Sequence, residues 1–257
     1  MAPAEGVPSD RVDRHAAFGV VTAAVIVSTA TLVLWPATIT EPYAGIVPGD
    51  PGGYFDVYFG GVPPLLVIAV VAAVGFAALN FLDSRGWFVI FTPERALGGV
   101  AVAAFLALPF AAAAIVADVS GVYRGPADMN VPLPYAPLFY PVVGYVTEIV
   151  FRVLPLALLL AAFSPLAAKL RSAQRPASGL AWLSIVAVAL AEPLYQVSLS
   201  ERPAAAQTFI GGHVFMISMA ELYLFRRYDF VTMYAFRLVY YALWHVIWGH
   251  LRLSLLF

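Results

Sequence analysis

Ionisable side chains lie inside long apolar stretches in the second half of this 257-residue chain. A charged group in hydrocarbon is unfavourable by several kcal/mol unless it is paired or faces a solvated cavity, so each is a candidate site residue. These residues are Glu148, Arg152, Glu192, His213, Glu221, Arg237, His245 and His250. Carboxylates and imidazoles could act as acids, bases or ligands, and the arginines could neutralise them. Four of these side chains are expected to meet in one shared pocket: Glu148, Arg152, Glu192 and Arg237.

Two of the candidates have a local sequence context that suggests a role. Glu148 and Arg152 are four residues apart, which places them one turn apart on the same face of a helix. They could form an internal ion pair or belong to a catalytic site. Glu192 precedes Pro193 in the middle of an apolar stretch, and a proline there kinks the helix and exposes a carbonyl group. Glu192 could therefore be a site residue or a packing feature.

The last apolar stretch presents a polar and aromatic stripe at helical spacing. The stripe and its flanking residues are Arg237, Tyr241, His245 and Trp248, with Tyr240, Trp244 and Arg252 beside them. The stripe predicts a face that points into a helix bundle, or else hydrogen bonds between helices with aromatic residues at the membrane boundary. His245 and His250 are five residues apart and diverge around a helix, so they cannot easily share one metal. We expect His250 to be interfacial and His245 to be the better site candidate.

A metal site is an alternative that the residue types allow. Nitrogen and oxygen donors suit zinc or iron, and Glu148, Glu192, His213 and His245 could supply them from four helices. A single-histidine haem or pigment ligand is a further alternative. We predict neither a metal nor another cofactor. The chain has no cysteine, which removes disulfides, thiolate metal sites and cysteine nucleophiles.

The composition predicts that these residues are carried by membrane-spanning helices. Hydrophobic residues make up 62% of the chain and charged residues 11%, with a mean hydropathy of +0.86. A soluble domain carries about a quarter charged residues. The apolar runs are continuous and do not alternate with a period of two, so they predict helices and not barrel strands. Seven spans are predicted, at residues 16–35, 63–82, 96–118, 138–163, 178–199, 208–225 and 230–256. The fold class is thus an all-α polytopic bundle.

The distribution of charge predicts the organisation and orientation of the bundle. Residues 1–15 are interpreted as a disordered cytoplasmic tail and not as a cleaved signal. Residues 16–137 are interpreted as accessory helices with interfacial loops at 36–62 and 86–93. Residues 138–257 are interpreted as the catalytic or binding bundle, because no site candidate lies in the first three spans. With the N-terminus inside, the inner loops carry nine Lys and Arg and the outer loops two, which fits the retention of positive charge on the cytoplasmic side of the plasma membrane.

The segment from Thr147 to Arg152, TEIVFR, resembles the EExxxR motif of the CPBP family of intramembrane proteins. That family comprises CAAX-prenyl proteases, bacteriocin-processing proteases and abortive-infection proteins. The resemblance extends over residues 138–252. Residues 183–195 are similar to the helix of the second family motif, FxxxH, and residues 220–245 to the region leading to HxxxN. The resemblance implies peptide-bond hydrolysis in the membrane, with the first glutamate activating a water beside two histidines and an asparagine.

Several family positions are substituted in this chain. Thr147 stands at the first glutamate, which leaves Glu148 and Arg152 as the matching residues, and Glu192 stands at or near the second-motif histidine. The last motif aligns in two registers, at Arg237 and Tyr241 or at His245 and Gly249. A threonine cannot serve as the general base.

These substitutions lead to three hypotheses about function. The first is a non-catalytic pseudoenzyme that serves as a scaffold, a partner-binding subunit or a lipophilic-ligand site. The second is a divergent intramembrane peptidase, with Glu148 or Glu192 as the base and His245 stabilising the oxyanion. The third is a transporter or cofactor-binding membrane subunit. The expected partners are the lipid bilayer and either a membrane protein or a peptide substrate. The net charge of −1 gives no indication of nucleic acid.

Overall fold

The computed structural model describes residues 8–34, 53–124, 130–169 and 176–256, and within these ranges the chain is helical with no strand. The helices are α1 Pro8–Leu34, α2 Gly53–Phe59, α3 Pro64–Ser84, α4 Ala96–Val119, α5 Ala136–Glu148, α6 Leu154–Lys169, α7 Pro176–Ala189, α8 Ala191–Ser198, α9 Ala204–Arg227, α10 Phe230–Tyr241 and α11 Gly249–Leu256. A short 3₁₀ turn, Pro93–Arg95, precedes α4.

Seven helical stretches are long and apolar enough to cross a membrane, as predicted. They are Val12–Leu34, Pro64–Ser84, Pro93–Val119, Ala136–Phe163, Gly179–Ser198, Ala204–Arg227 and Phe230–Leu256. Large apolar side chains cover their outer faces; Leu97 is 90% and Phe105 74% exposed. Such surfaces match acyl chains and not water, so the protein is an integral multi-pass membrane protein with an all-α fold.

The first helix and the first connection differ in detail from the prediction. Helix α1 begins at Pro8, within the segment 1–15 that was interpreted as a tail, and residues 1–7 lie outside the described part of the chain. The predicted interfacial loop 36–62 contains the short helix α2, and its residues up to 52 also lie outside the described part. Trp35, the predicted end of the first span, also lies outside the described part of the chain. So do Arg171 and Arg175, two of the nine Lys and Arg residues assigned to the inner loops.

A stripe of small residues lets α4 approach α10 closely. Gly99, Ala103, Ala107 and Ala111 recur every fourth residue along α4 and are all buried, and α4 packs along α10. Small residues at this spacing allow two helix backbones to come together in a membrane, where packing holds helices to one another. The stripe therefore fixes the position of α10, the helix that carries Arg237.

The start of α10 is also fixed by hydrogen bonds. Asp229 caps the helix by accepting from the backbone N–H of Thr232 at 2.7 Å. Its other oxygen accepts from the N–H of Thr92 at 2.9 Å, and the N–H of Phe230 donates to the carbonyl of Val89 at 3.1 Å. The loop before α4 and the loop before α10 are thus joined at one end of the bundle.

Three of the last four spans are irregular where candidate site residues lie. Helices α5 and α6 join through a π-helical turn, Ile149–Val153, which contains Arg152. Helices α7 and α8 are interrupted at Leu190, shortly before Glu192 and Pro193, as the proline predicts. The last span contains a second π-helical turn, Ala242–Trp248. Such turns are rare inside helices and are frequent at functional sites.

Candidate functional site

Five charged side chains from the last four spans meet inside the bundle. We call them the ion cluster: Glu148, Arg152, Glu192, Glu221 and Arg237. No side chain of the cluster is more than 6% exposed. The structure therefore brings together the four residues that were expected to share a pocket and adds Glu221 to them.

Arg237, on α10, contacts all three carboxylates. Its Nε lies 2.7 Å from Oε1 of Glu148 and 2.8 Å from Oε1 of Glu221. Its Nη2 donates to Oε2 of Glu221 at 2.8 Å and to Oε2 of Glu192 at 3.2 Å. One guanidinium thus links α10 to three other helices. It does so through charge-assisted contacts, which are stronger than neutral hydrogen bonds.

Arg152, in the first π-helical turn, makes a second set of contacts. Its Nη2 lies 2.7 Å from Oε2 of Glu221, forms an ion pair with Glu192, and donates to the hydroxyl of Ser218 at 3.0 Å. The predicted pair within one helix is the longest contact, with 3.5 Å between Nε of Arg152 and Oε2 of Glu148. Arg152 therefore acts mainly between helices and not along its own.

The ion cluster contains more acids than bases. Three carboxylates face two guanidinium groups, so the cluster carries a surplus of one negative charge when all five groups are ionised. Charge is strongly disfavoured in a low-dielectric interior unless it is compensated. A proton or a nearby cation would therefore stabilise the cluster further.

A cavity of about 630 Å³ lies beside the ion cluster and is lined mainly by residues of the last four spans. Two cluster members, Glu192 and Arg237, form part of its wall. Thr147 and Gln196 lie on the same wall, and Gln196 donates to Oε1 of Glu192 at 2.9 Å. The apolar part of the lining is larger than the polar part, as is usual at a small-molecule site.

Aromatic rings in mutual contact form much of the remaining wall. The ring of Tyr140 stacks on His245 with centroids 4.5 Å apart and meets Tyr241 edge-on at 5.6 Å. Tyr241 in turn lies 6.0 Å from Tyr240. The second π-helical turn and the residues before it thus present a continuous aromatic surface, which includes the predicted Tyr241 and His245 and the flanking Tyr240.

The same aromatic surface continues onto α9 and the segment after α4. His213 stacks on Phe209 at 5.1 Å and contacts Tyr240 at 6.0 Å. Tyr123 lies 6.1 Å from Phe209 and 6.4 Å from Trp244. All of these rings line the cavity, so aromatic side chains surround it on several sides.

Two further features define the edges of the cavity. Tyr58 and Phe59, from α2, line it, so the first connection contributes directly to the site. Phe151 and Tyr195 also line it, and their rings meet at 5.3 Å between the first π-helical turn and α8. Tyr195 is 53% exposed. This pair of rings therefore forms one edge of the cavity.

His245 is held by a residue of the connection before α5. Its Nδ1 lies 2.6 Å from the amide oxygen of Asn130, which also accepts from the hydroxyl of Tyr140 at 3.3 Å. Asn130 approaches the last span at Gly249, where an added Cβ would lie 2.8 Å from its Nδ2. Position 249 therefore has room only for glycine, and sequence reasoning did not find Asn130 because its partners are distant along the chain.

The residues considered as metal ligands have other partners. His213 lies 3.2 Å from the hydroxyl of Tyr240, His245 bonds to Asn130, and the two glutamates belong to the ion cluster. In the part of the chain that the structure describes, no group of three or more His, Asp or Glu side chains could hold a metal ion. His250 is exposed near the end of the last span.

A second buried ion pair involves the third span, in which no candidate site residue was predicted. Asp118, near the end of α4, accepts from Nε of Arg252 at 2.8 Å and from its Nη2 at 3.0 Å. The indole of Trp248 donates to the same carboxylate at 2.9 Å. Both charged side chains are fully buried. The aspartate was missed because it stands at a predicted span boundary, where charge is ordinary.

Comparisons of this chain with protein-family models, with curated proteins and with solved structures find no match.

Proposed function

We propose that this protein is a non-catalytic membrane protein that binds a lipophilic ligand in the cavity between its last four spans. The observation that carries this proposal is the aromatic cavity of about 630 Å³ whose polar wall belongs to an internally paired ion cluster. Cavities of this size and lining accommodate small molecules. The last four spans then act as the binding bundle, and α2 contributes to its edge.

The pairing of Glu192 argues against a hydrolytic centre. A general base must be within reach of the water that it activates and must be able to accept its proton. Glu192 lies on the cavity wall but is engaged by Arg152, Arg237 and Gln196. Glu148 is fully buried in contact with Arg237. These carboxylates serve as partners for guanidinium groups.

We relate the bundle to the CPBP intramembrane proteins as a member that has lost the reaction. The support is the sequence of Glu148 and Arg152 together with the threonine at position 147. In this interpretation the retained charges hold the helices together, and the space used by a peptide in an active enzyme is used by a ligand.

Displacement of a neutral fluorescent probe tests the binding proposal. N-phenyl-1-naphthylamine is apolar and uncharged, and we expect it to bind the purified protein in dodecyl maltoside with enhanced fluorescence. Val214 lines the cavity, so Val214→Trp fills part of it and should lower the probe affinity by at least about tenfold, through lost volume and contacts.

Val186→Trp is the matched control, because Val186 lies on the exposed face of α7. It adds the same side chain outside the cavity and should leave probe binding unchanged. Equal binding by the wild type and both variants would mean that the probe does not enter the cavity, and would contradict the proposal.

An intramembrane peptidase is the second candidate, because Glu192 and Arg237 are both on the cavity wall. The test is cleavage of prenylated and unprenylated peptides by the purified protein, with Glu148→Gln, Glu192→Gln and His245→Ala measured alongside. The binding proposal predicts no cleavage by any of the four proteins. Cleavage that one of these substitutions abolishes would establish the enzyme.

We further propose that the protein resides in the plasma membrane with its N-terminus in the cytoplasm. The support is the distribution of Lys and Arg in the connections, nine on the proposed inner side and two on the outer. The chain has no cysteine, so single cysteines report topology without background. A membrane-impermeant maleimide should label Ser120→Cys in intact cells but not Ser84→Cys; the reverse pattern would contradict this orientation.

A further inference from the structure

We propose that the ligand of this cavity is a lipophilic organic cation, such as an amphiphilic ammonium compound. This inference rests on the proposed binding function and specifies the chemistry of the ligand. Three features of the cavity favour a positive group: the charge of its polar wall, the aromatic character of its other walls, and the pairing of Arg237 with carboxylates.

The first feature is the acid surplus of the ion cluster. When all five groups are ionised, the three carboxylates and two guanidinium groups leave one negative charge uncompensated, and Glu192 is the carboxylate that reaches the cavity wall. Attraction between opposite charges is strong in a low-dielectric interior. A cation in the cavity would balance the cluster, whereas a carboxylate or phosphate group would add to the surplus.

The second feature is the ring lining. The faces of tyrosine, tryptophan and phenylalanine rings attract cations, most strongly where water is excluded. Two tyrosine rings of the cavity already contact a cation of the protein itself. The guanidinium carbon of Arg202 lies 4.8 Å from the ring centroid of Tyr123, and that of Arg237 lies 5.3 Å from the centroid of Tyr241. Arg202 is partly exposed beside its ring, so solvent screens its charge.

The third feature concerns Arg237, the arginine on the cavity wall. Its Nε and Nη2 atoms contact Glu148, Glu192 and Glu221, so its charge is already matched within the cluster. A ligand anion would compete with three carboxylates for it.

The apolar part of such a ligand also has a place. Val143, Val146 and Ile217 line the cavity together with the rings. These aliphatic side chains and the rings would contact the hydrophobic part of the ligand.

Two ions of matched shape and opposite charge test the inference. Tetraphenylphosphonium and tetraphenylborate are titrated separately into the wild-type protein with bound N-phenyl-1-naphthylamine, in the nonionic detergent. The expected result is that the phosphonium displaces the probe at a concentration at least about tenfold lower than the borate.

Glu221→Gln isolates the contribution of charge. Glu221 belongs to the ion cluster but does not line the cavity, so the substitution removes the surplus charge and leaves the wall unchanged. It should weaken phosphonium binding by about tenfold relative to binding of the neutral probe by the same variant. Tyr240→Leu should also weaken phosphonium binding, by roughly 3- to 30-fold, while Tyr240→Phe, which keeps the ring face, should not.

The outcomes separate this inference from the proposal on which it rests. If the neutral probe binds but the borate displaces it as well as the phosphonium does, the cation inference is wrong and the binding function stands. If the neutral probe does not bind in the cavity, the binding function itself fails.

A further arm distinguishes a lipid headgroup from a free amphiphile as the source of the cation. The phosphonium titration is repeated with phosphatidylcholine or with phosphatidylglycerol added to the micelles. Competition by phosphatidylcholine alone would indicate a choline headgroup. Equal phosphonium affinity in both lipids would indicate a free lipophilic cation.

Discussion

The interior contains two groups of buried charges that differ in their balance. Asp118 and Arg252 form an ion pair with two hydrogen bonds, and the indole of Trp248 supplies a third to the same carboxylate. The ion cluster has three carboxylates for two guanidinium groups, and it borders the aromatic cavity. The carboxylate of Asp118 is matched by one guanidinium, whereas the ion cluster, with all five groups ionised, would gain from a further positive charge.

This difference indicates separate roles for the two groups. The fully buried pair of Asp118 and Arg252 links α4 to α11 and does not line the cavity. An acid-rich cluster on a cavity wall links four spans and can also respond to what occupies the cavity. The substitutions below disturb one group or the other, beginning with the largest expected effect.

Arg237→Leu should have the largest effect, because it leaves three buried carboxylates with one guanidinium. Removing one partner of a buried pair costs about 3–5 kcal/mol, and here three contacts lose the same partner. We expect little monodisperse protein on size-exclusion chromatography in detergent. Arg124→Leu, which changes an exposed arginine, should elute as the wild type does. A normal elution profile for Arg237→Leu would contradict the role given to this residue.

Arg252→Met should lower the free energy of unfolding by about 3–5 kcal/mol, since it strands the carboxylate of Asp118. The double variant Asp118→Leu with Arg252→Met removes both charges and should recover most of that loss, apart from about 1 kcal/mol for the indole of Trp248. Titration with sodium dodecyl sulfate in mixed micelles measures the free energy of unfolding of the single and the double variant. A double variant as unstable as the single one would show that the pair is not the stabilising unit.

Gly144→Ala tests the packing around the ion cluster. An added Cβ at this position on α5 would lie 3.1 Å from Cγ of Arg237, so the arginine stem must shift. The expected loss is about 1–3 kcal/mol, typical of overpacking. Gly212→Ala, where nothing lies within 4 Å of the added atom, should instead stabilise α9 slightly. Similar effects of the two substitutions on stability would contradict the close packing of Gly144 against Arg237.

Glu221→Gln should have the smallest effect on stability, a loss below about 1 kcal/mol. The two remaining carboxylates match the two guanidinium groups, and the amide oxygen still accepts a hydrogen bond. Thermal unfolding monitored by tryptophan fluorescence is sufficient to compare it with the wild type. A loss as large as that of Arg252→Met would show that the cluster has no surplus acid.

Length and apolar character were sufficient to predict the seven spans, because crossing the hydrocarbon core requires a long apolar helix. The meeting of Glu148, Arg152, Glu192 and Arg237 was also predictable, since isolated charges are disfavoured there. Sequence did not reveal the two π-helical turns, which place Arg152 and His245, because they depend on tertiary packing. It did not reveal the pairing of Asp118 with Arg252 either, since the two are 134 residues apart.

The residues that line the aromatic cavity were only partly predictable from the sequence. The stripe of Arg237, Tyr241 and His245 on the last span was visible from helical spacing, and all three line the cavity. The contributions of α2 and of Tyr123 were not visible, because they come from connections whose course is set by the packed bundle. The assignment of catalytic roles to these residues stays a prediction.

The difference in unfolding free energy between Asp118→Asn and Glu221→Gln, measured side by side in the same micelles, tests the contrast between the two groups most directly. Each substitution neutralises one buried acid with almost no change in shape. The expected result is a loss of about 3–5 kcal/mol for Asp118→Asn and below about 1 kcal/mol for Glu221→Gln. Equal losses, or a larger loss for Glu221→Gln, would mean that the ion cluster contains no surplus acid.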